Sequence, residues 1–410
     1  MTAQKNIERD VYASRVRPFI SNRNAKVFTG IRRCGKSTLM DMTADEIASS
    51  NSDANIIRIN MEVYSNRRLR EADALYGRIK ELLDGSRENF LFIDEIQDVP
   101  EWESVIRSLI AEKCCDIYIT GSNSALLSSE YSTYLSGRIN SIPVQPLTFR
   151  ECVRFVKETG GDAGDAHAIL DEYIRFGGFP DLWTSKRSES SAYSTLADIY
   201  STIVLRDVAS RYNIRSIASF EKVISFLCDN IGKVTSPFNI YNKMKEEKDP
   251  VDKTTVYAYL DHLEKSYFVR KAERYDIRGK KLLESRHKYY LSDIGLKHAL
   301  LGYREEDIPG HIENIIFNEL TARGYRAAVG DIDGKEVDFV AERMGRKLFI
   351  QAVHSLSSED AVGREFGNLS RVDGGFPKFV VGMDPRWKTG DHVDGIRYRD
   401  LAEFLTADDW

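Results

Sequence analysis

The sequence predicts an α/β fold that begins with a parallel β-sheet covered by helices. First, short apolar runs rich in β-branched residues alternate with amphipathic helical runs over residues 25–144. Second, a glycine-containing segment lies between the first apolar run and the first helix. Third, two adjacent carboxylates end the third run. The predicted strands cover residues 25–29, 54–60, 89–95, 116–121 and 142–144, and a helix is predicted over residues 75–83.

Composition narrows the class of protein. The chain has 410 residues, 42% hydrophobic and 30% charged, which is enough for two to four domains with real cores. The net charge of −5 argues against a protein that coats nucleic acid, although local basic patches remain compatible with it. The five cysteines lack metal-ligand spacing, so free thiols are expected. Without a long apolar stretch or a signal peptide, we expect a cytoplasmic protein with no membrane partner.

The glycine-containing segment matches the pattern G-x-x-x-x-G-K-[ST] between Gly30 and Ser37. Glycine permits the positive φ that curls backbone N–H groups around a phosphate, and the following helix N-terminus favours negative charge. Lys36 is predicted to reach the β- and γ-phosphates, and Ser37 to coordinate Mg²⁺. The predicted ATP-binding residues here are Gly30, Ile31, Arg32, Arg33, Cys34, Gly35, Lys36, Ser37 and Thr38.

The carboxylates that end the third predicted strand complete an ATP site. Asp94 is predicted to hold Mg²⁺ together with Ser37. Glu95 is predicted to act as the general base that polarises the attacking water. The catalytic residues are therefore predicted to be Glu95 and Lys36, and the cofactors ATP and Mg²⁺.

Two further residues carry alternative interpretations. Asn123 follows the strand over residues 116–121, where it could orient water or touch the γ-phosphate, or could simply cap the next helix. Arg138 precedes the strand over residues 142–144. It could face the nucleotide of a neighbouring subunit in an oligomer, or neutralise the last carbonyls of its own helix.

These motifs resemble those of a prokaryotic family of AAA-type P-loop ATPases. The similar segments span nearly the whole chain: residues 28–37, 92–97, 119–124, 137–138, 146–151, 175–180 and 336–340. The resemblance implies the ATP-site roles already given for Lys36, Ser37, Asp94 and Glu95. It also implies a C-terminal half formed by a domain of unknown function.

The expected organisation has four parts: an AAA-like domain over residues 1–148, a helical lid over 149–215, a winged helix-turn-helix over 216–300 and a restriction-endonuclease-like α/β domain over 301–410. Gly177 and Gly178 are either a hinge of the lid or a tight turn. In the winged helix, helices are predicted over residues 237–246 and 253–265, the second capped by Asp252. Two wing strands should follow.

The predicted wing is strongly basic. Residues 265–288 contain nine Lys or Arg against three Glu or Asp. Such a stripe could grip the phosphates of double-stranded DNA, with Lys253, Thr254 and Tyr257 offered to a groove. The alternative is a protein-docking module with a solvated basic hairpin.

The last part departs from an active nuclease. Glu313 or Glu319 and Asp338 could hold a metal, but the E-x-K position of the nuclease fold reads Gln351-Ala352-Val353. We therefore expect a binding or assembly role for this part. The sequence predicts an ATP-hydrolysing switch acting on a nucleic-acid or protein partner; the alternative is an ATP-gated DNA-processing nuclease.

Overall fold

A computed structural model describes residues 7–123, 137–162, 164–185, 187–249 and 251–410. The chain forms two compact units. The first contains residues 1–145 and 265–267, and the second contains residues 146–264 and 268–410. In the part of the chain so described, every helix is too short or too polar to cross a bilayer.

The first unit is built on a five-stranded sheet in the order β2-β3-β4-β1-β5. Its strands are β1 (Ala25–Thr29), β2 (Asn55–Asn60), β3 (Asn89–Asp94), β4 (Asp116–Gly121) and β5 (Ile139–Pro143). All neighbouring pairs are parallel, which confirms the predicted sheet. Every residue of β1, β3 and β4 is buried, and this explains why these strands read as continuous apolar runs.

Helices pack against this sheet. They are α1 (Asp10–Val16), α2 (Lys36–Ser50), α3 (Ala72–Leu82) and α4 (Trp102–Glu112). Leu75 and Ile79 of α3, with Ile106 of α4, enter a core that also contains Ile57 and Ile93 from the sheet. Because the strands are parallel, the carboxyl ends of β1, β3 and β4 meet at one edge, where the predicted ATP-site residues lie.

The second unit begins with helices. These are α5 (Phe149–Glu158), α6 (Ala166–Phe176), α7 (Glu189–Ser201), a π-helix (Thr202–Ser210), α8 (Ile217–Asp229), α9 (Pro237–Glu246), α10 (Lys253–Lys265), α11 (Gly295–Leu301), α12 (Ile308–Ala322), α13 (Glu359–Ser370) and α14 (Leu401–Thr406). The bounds predicted for α9 and α10 are confirmed. Asp252 caps α10 as expected, since the Thr255 N–H donates to its Oδ1 at 2.7 Å.

The same unit contains one eight-stranded sheet in the order β12-β13-β11-β10-β9-β8-β6-β7. Its strands are β6 (Val269–Asp276), β7 (Lys281–Leu291), β8 (Arg326–Ile332), β9 (Lys335–Arg343), β10 (Arg346–Val353), β11 (Lys378–Gly382), β12 (His392–Val393) and β13 (Ile396–Asp400). The hairpin β6–β7, predicted as the wing, joins β8 in parallel, with Arg274 opposite Val329. The sheet therefore continues across the boundary predicted between residues 300 and 301.

The turn at Gly177 and Gly178 is held by a buried carboxylate. The Gly178 N–H donates to Asp293 Oδ2 at 2.7 Å, and the Gly295 N–H donates to Oδ1 at 2.8 Å. Gly177 has φ +74°, and a Cβ there would lie 1.8 Å from Asp293 Oδ1. These contacts hold the backbone at Gly177 and Gly178, and both the hinge and the tight turn stay predictions. Burial raises the pKa of Asp293 to about 7, although both N–H groups act to lower it.

The pH dependence of the unfolding free energy, compared between wild type and Asp293→Asn, tests this contact. A pKa raised in the folded state means that the folded chain binds the proton more tightly than the unfolded chain. The unfolding free energy of wild type should therefore fall relative to Asp293→Asn as pH rises from about 4 to 7. A shift of about three pKa units predicts a relative change on the order of 4 kcal/mol. Denaturant unfolding at each pH measures it.

Asp171→Asn is the matched control, because Asp171 is an exposed carboxylate on α6. Its difference from wild type should stay flat over the same range. An equally flat difference for Asp293→Asn would contradict the assigned role of Asp293.

Candidate functional site

The loop between β1 and α2 has the geometry expected of a phosphate-binding loop. Gly30 has φ +152° and Gly35 has φ +96°. A Cβ on Gly30 would lie 2.0 Å from the carbonyl oxygen of Val144, so only glycine allows this close approach of the backbone. Arg33 also has positive φ, at +63°. The backbone is therefore curled at three positions within the predicted motif.

Lys36 lies inside this loop. Its side chain is buried, and its ammonium donates to the carbonyl oxygens of Gly30 at 3.0 Å and Ile31 at 3.1 Å. The ammonium is thus satisfied by the loop itself. A cation held against the curled loop is suited to meet the anionic phosphates that such loops bind.

Asp94 is at the centre of the site. Its Oδ1 accepts a hydrogen bond from Ser37 Oγ at 2.9 Å and another from the Thr120 hydroxyl. Its Oδ2 accepts from Asn60 Nδ2 at 3.1 Å. Burial raises the pKa of Asp94, while the Thr120 and Ser37 hydroxyls act to lower it. The structure therefore brings the two predicted Mg²⁺ ligands, Ser37 and Asp94, into direct contact.

Glu95 is buried beside Asp94 in a strained conformation. Its φ is +54°, in the left-handed region that non-glycine residues seldom adopt outside functional sites. Its N–H donates to Thr120 Oγ1 at 2.9 Å, and the amide of Gln97 donates to its carboxylate. The Thr120 hydroxyl thus contacts the side chain of Asp94 and the backbone of Glu95.

Arg32 has a contact that the sequence did not reveal. One guanidinium nitrogen lies 2.8 Å from Glu62 Oε1 and another lies 3.8 Å from Glu95 Oε1. The predicted general base therefore faces a cation from the phosphate-binding loop. Thr120 and Asn60 were also missed. Each is a polar side chain at the carboxyl end of a strand, Thr120 on β4 and Asn60 on β2, and this position could have identified them.

Two polar atoms at the sheet edge are suited to an additional group. Thr29 Oγ1 and Ser122 Oγ are buried and have no hydrogen-bond partner within the described ranges. Such atoms are normally satisfied by a ligand or a water molecule. The Asp94 carboxylate and the Ser37 hydroxyl, which are in contact, complete this set of oxygen ligands. The set fits Mg²⁺, which keeps several waters and takes few protein ligands.

Asn123 follows the carboxyl end of β4, at the edge where the other predicted ATP-site residues lie. Arg138 instead precedes β5, at the opposite, amino-terminal edge of the same sheet. Asn123 is buried next to Ser122. The alternative that Asn123 caps the next helix concerns a helix that falls outside the described residues. Arg138 is exposed directly before β5, and its carbonyl oxygen accepts from the Ala25 N–H at 2.9 Å. Neither alternative for these two residues is decided by the structure.

An apolar cavity of about 290 Å³ lies between α1 and α2. Its lining includes the apolar side chains Tyr12, Val16, Phe28, Leu39 and Met42, and the charged side chains Glu8, Arg9, Arg17 and Glu46. The residue before α1 is tied to the phosphate-binding loop, because Arg9 donates to the carbonyl oxygens of Cys34 at 2.9 Å and Gln145 at 3.0 Å. The cavity is therefore held close to the phosphate-binding loop.

The second unit contains a separate cluster of charge. The buried ammonium of Lys288, on β7, lies 2.7 Å from Glu313 Oε1, 2.6 Å from Glu336 Oε1 and 3.5 Å from Asp338 Oδ1. Burial alone would lower the pKa of Lys288, but the three carboxylates raise it above its usual value. Burial raises the pKa of Glu313 to about 8 and that of Asp338 to about 6. We call these four residues the Lys288 cluster.

The cluster includes the residues predicted from the nuclease pattern. Glu313 joins Asp338, whereas Glu319 pairs with Arg323 at 2.6 Å. The Asp338 N–H donates to Gln351 Oε1 at 3.4 Å. Val353 is buried in an apolar core. Across the described ranges, no three His, Cys, Asp or Glu side chains are grouped so that they could hold a metal ion.

Comparison with known proteins agrees with this organisation. Residues 22–153 match the model of a family described as an AAA domain, and residues 167–307 match one described as a domain of unknown function. An uncharacterized protein of Haemophilus influenzae is 32% identical over 401 residues, covering 97% of this chain and 98% of that protein. An uncharacterized protein of Methanocaldococcus jannaschii is 31% identical over 308 residues, covering 73% of this chain and 67% of that protein.

The parallel sheet, the curled loop and the AAA match define a P-loop protein of the AAA class. The chain belongs to the family of AAA-domain proteins, carrying a C-terminal domain of unknown function, that includes the Haemophilus influenzae protein.

Solved structures resemble this one only distantly. The DNA-bound ORC1 protein of Aeropyrum pernix has a TM-score of 0.32 and 14% identity, covering 72% of this chain and 93% of that one. AMPPCP-bound DnaA from Aquifex aeolicus has a TM-score of 0.31 and 13% identity, covering 62% of this chain and 86% of that one. Likenesses at this distance carry no argument about function.

Replacing Lys288 by methionine tests the charge cluster. Two buried carboxylates, Glu313 and Asp338, and the more exposed Glu336 would then be left without their cation. Loss of one partner of a buried ion pair typically costs about 3–5 kcal/mol. We expect the unfolding free energy to drop by that amount near pH 8. The defect should shrink towards pH 5, because the carboxylates can then fold in the protonated form.

Lys280→Met, on the exposed turn of the same hairpin, is the matched control and should change stability by less than about 0.5 kcal/mol. Equal stability of the two variants across this pH range would show that the Lys288 cluster does not hold the fold.

Proposed function

We propose that this protein is an Mg²⁺-dependent ATPase that works as a molecular switch on a nucleic-acid or protein partner. The observation that carries the proposal is the convergence of Lys36, Ser37, Asp94 and Glu95 at one edge of the parallel sheet, with Asp94 accepting a hydrogen bond from Ser37. A nucleotide-binding protein without hydrolysis needs no general base. The buried, strained Glu95 therefore favours turnover.

Each residue of this site has a distinct role in the proposal. Lys36 and the loop N–H groups bind the phosphates, while Ser37 and Asp94 hold the metal. Mg²⁺, when bound, neutralises charge that develops on the phosphoryl oxygens. Glu95 accepts the proton of the attacking water at its carboxylate. The Thr120 hydroxyl accepts from the Glu95 backbone N–H, and the Gln97 amide donates to the Glu95 carboxylate.

The contact between Arg32 and Glu95 gives the switch a resting state. In the structure the guanidinium lies 3.8 Å from the carboxylate. We propose that Arg32 turns towards phosphate when nucleotide binds, which releases Glu95 to orient water.

The apolar cavity beside α1 is proposed to take the adenine base, since aromatic and aliphatic walls suit a flat heterocycle.

The proposed partner surface lies on the segment predicted as a winged helix. Lys253, Thr254 and Tyr257 are exposed on α10, while Val256, Leu260 and Leu263 are buried on its other face. Fewer cations of the basic stripe are exposed for binding than the sequence suggests. Lys288 is buried, and Arg274 pairs with Asp331 at 2.6 Å. Its exposed cations are Lys271, Arg278, Lys280, Lys281 and Arg286.

The C-terminal part is proposed to bind or assemble rather than to cut DNA. Gln351 is a neutral ligand in place of a carboxylate, and Val353 carries no charge to stabilise a phosphorane. The Lys288 ammonium already lies among the carboxylates that a nuclease would use for its metal. The alternative, an ATP-gated nuclease, would require Lys288 to share that space with a divalent cation.

Steady-state ATP hydrolysis by the purified chain is the first test. We expect Mg²⁺-dependent turnover that Glu95→Gln lowers by about 10²- to 10⁴-fold while nucleotide binding is kept, because only the base is lost. Lys36→Ala should lose both binding and turnover. Glu101→Gln removes an exposed carboxylate shortly downstream and should behave as wild type. Full turnover in Glu95→Gln would contradict the proposal.

DNA binding by the wing is tested with a triple charge reversal. Arg278, Lys280 and Lys281→Glu should weaken binding to duplex DNA by at least about tenfold, and should lower the salt slope by about one per lost phosphate contact. Fluorescence anisotropy over a salt series measures both. Unchanged, salt-sensitive binding would exclude this patch. Wild type that neither binds DNA nor changes its turnover with DNA would point to a protein partner.

A further inference from the structure

A polar cavity of about 440 Å³ lies at the amino-terminal edge of the five-stranded sheet. Strands β3 and β4 begin there with Asn89 and Asp116, so the cavity is at the edge opposite the nucleotide site. Its lining contains the adjacent cysteines Cys114 and Cys115 in the connection between α4 and β4. Charged side chains of both signs also line it, namely Arg23, Arg87, Lys113, Glu88 and Asp116.

The two thiols are close together and partly exposed. Their Sγ atoms lie 4.0 Å apart, and the other three cysteines are buried. A hydrogen bond from the neighbouring thiol lowers the pKa of Cys114 to about 7 and raises the pKa of Cys115. Burial raises the pKa of Cys228 to about 12. The lower pKa and the partial exposure favour reaction at Cys114 over reaction at the buried Cys228.

We propose that Cys114 and Cys115 form a redox-modification site at which a hydroperoxide converts the vicinal dithiol into a disulfide. The cavity gives the oxidant access to the pair.

The chemistry proceeds in two steps. The Cys114 thiolate attacks the terminal oxygen of the hydroperoxide, the O–O bond breaks, and the alkoxide or hydroxide that leaves takes a proton from water. Cys114 is now a sulfenic acid. The Cys115 sulfur then attacks the Cys114 sulfur, an S–S bond forms, and the hydroxyl leaves as water with the Cys115 proton. The peroxide gains two electrons, one lost formally by each sulfur.

The short distance between adjacent residues makes the proposed disulfide easy to reduce. Adjacent Cα atoms are about 3.8 Å apart, which is below the separation of about 4.4–6.8 Å found for ordinary disulfides. A bridge between neighbours is therefore strained and easily reduced. This suits a transient regulatory bond in a reducing compartment better than a permanent structural one.

The position of the dithiol links it to the nucleotide site. Asp116, the next residue, forms a buried ion pair with Lys26 of β1 and accepts hydrogen bonds from the Ser21 N–H at 2.9 Å and the Tyr118 hydroxyl at 2.7 Å. The carboxyl end of the same strand carries Thr120, which holds Asp94 and Glu95. Closing the ring would pull on the anchored start of β4. The expected change in ATP turnover rests on the proposed function.

The test is mass spectrometry of the full chain after brief exposure to hydrogen peroxide and alkylation without reduction. The expected result is a loss of two hydrogen atoms in the peptide that contains residues 114 and 115, reversed by dithiothreitol. Cys114 should react at least about tenfold faster than Cys228, which is the internal reference for a buried thiol. Retention of both thiols, or only oxygen addition at either one, would overturn the proposal.

Cys115→Ser removes the resolving sulfur by a nearly isosteric change. In this variant Cys114 should accumulate oxygen adducts and lose no hydrogen pair. Should the variant fold poorly, the wild-type mass shift decides alone. ATP turnover of the oxidised and re-reduced chain is measured separately. A mass shift without any turnover in the reduced chain would leave the dithiol standing and count against the ATPase.

Discussion

The proposed nucleotide site of the first unit depends on one buried carboxylate. Asp94 accepts hydrogen bonds from Ser37 on α2, Asn60 on β2 and Thr120 on β4, so that one side chain ties together three elements adjoining its own strand. A carboxylate buried in this way is tolerated because its oxygens are satisfied. The geometry of the phosphate-binding loop relative to the sheet edge is consequently determined by charge satisfaction as much as by apolar packing.

The sequence predicted the local features of this site and missed its cross-links. Lys36, Ser37 and Asp94 could be identified because their spacing along the chain reflects a strand, a loop and a helix that fold locally. The contact of Arg32 with Glu95 depends on side-chain positions in two separate elements, and no periodicity encodes it. Asp293 and Gly178 are 115 residues apart, so a carboxylate that holds a turn there had no signal in either segment alone.

Lys288 shows why a charge pattern is ambiguous. Within a run of basic residues it looked like one more solvated cation, but it is buried among Glu313, Glu336 and Asp338. Those carboxylates come from segments downstream of the hairpin. A buried lysine needs partners of opposite charge, and only the folded sheet brings them near. For the same reason the sequence boundary at residues 300 and 301 did not anticipate a sheet shared by the hairpin and the strands after it.

Strand β7 forms one edge of the eight-stranded sheet. This position gives the basic residues of β7 a role that needs no partner. An end strand presents unpaired backbone groups to any other extended chain, so it is a template for self-association. Within the described ranges, an isolated bridge between Thr235 and His287 covers one point of that edge. Lys281 and Arg286 are exposed along the same strand, where their charges repel a second copy of the edge. Positive charge on this hairpin would therefore protect the protein from aggregation even if it never touched a phosphate.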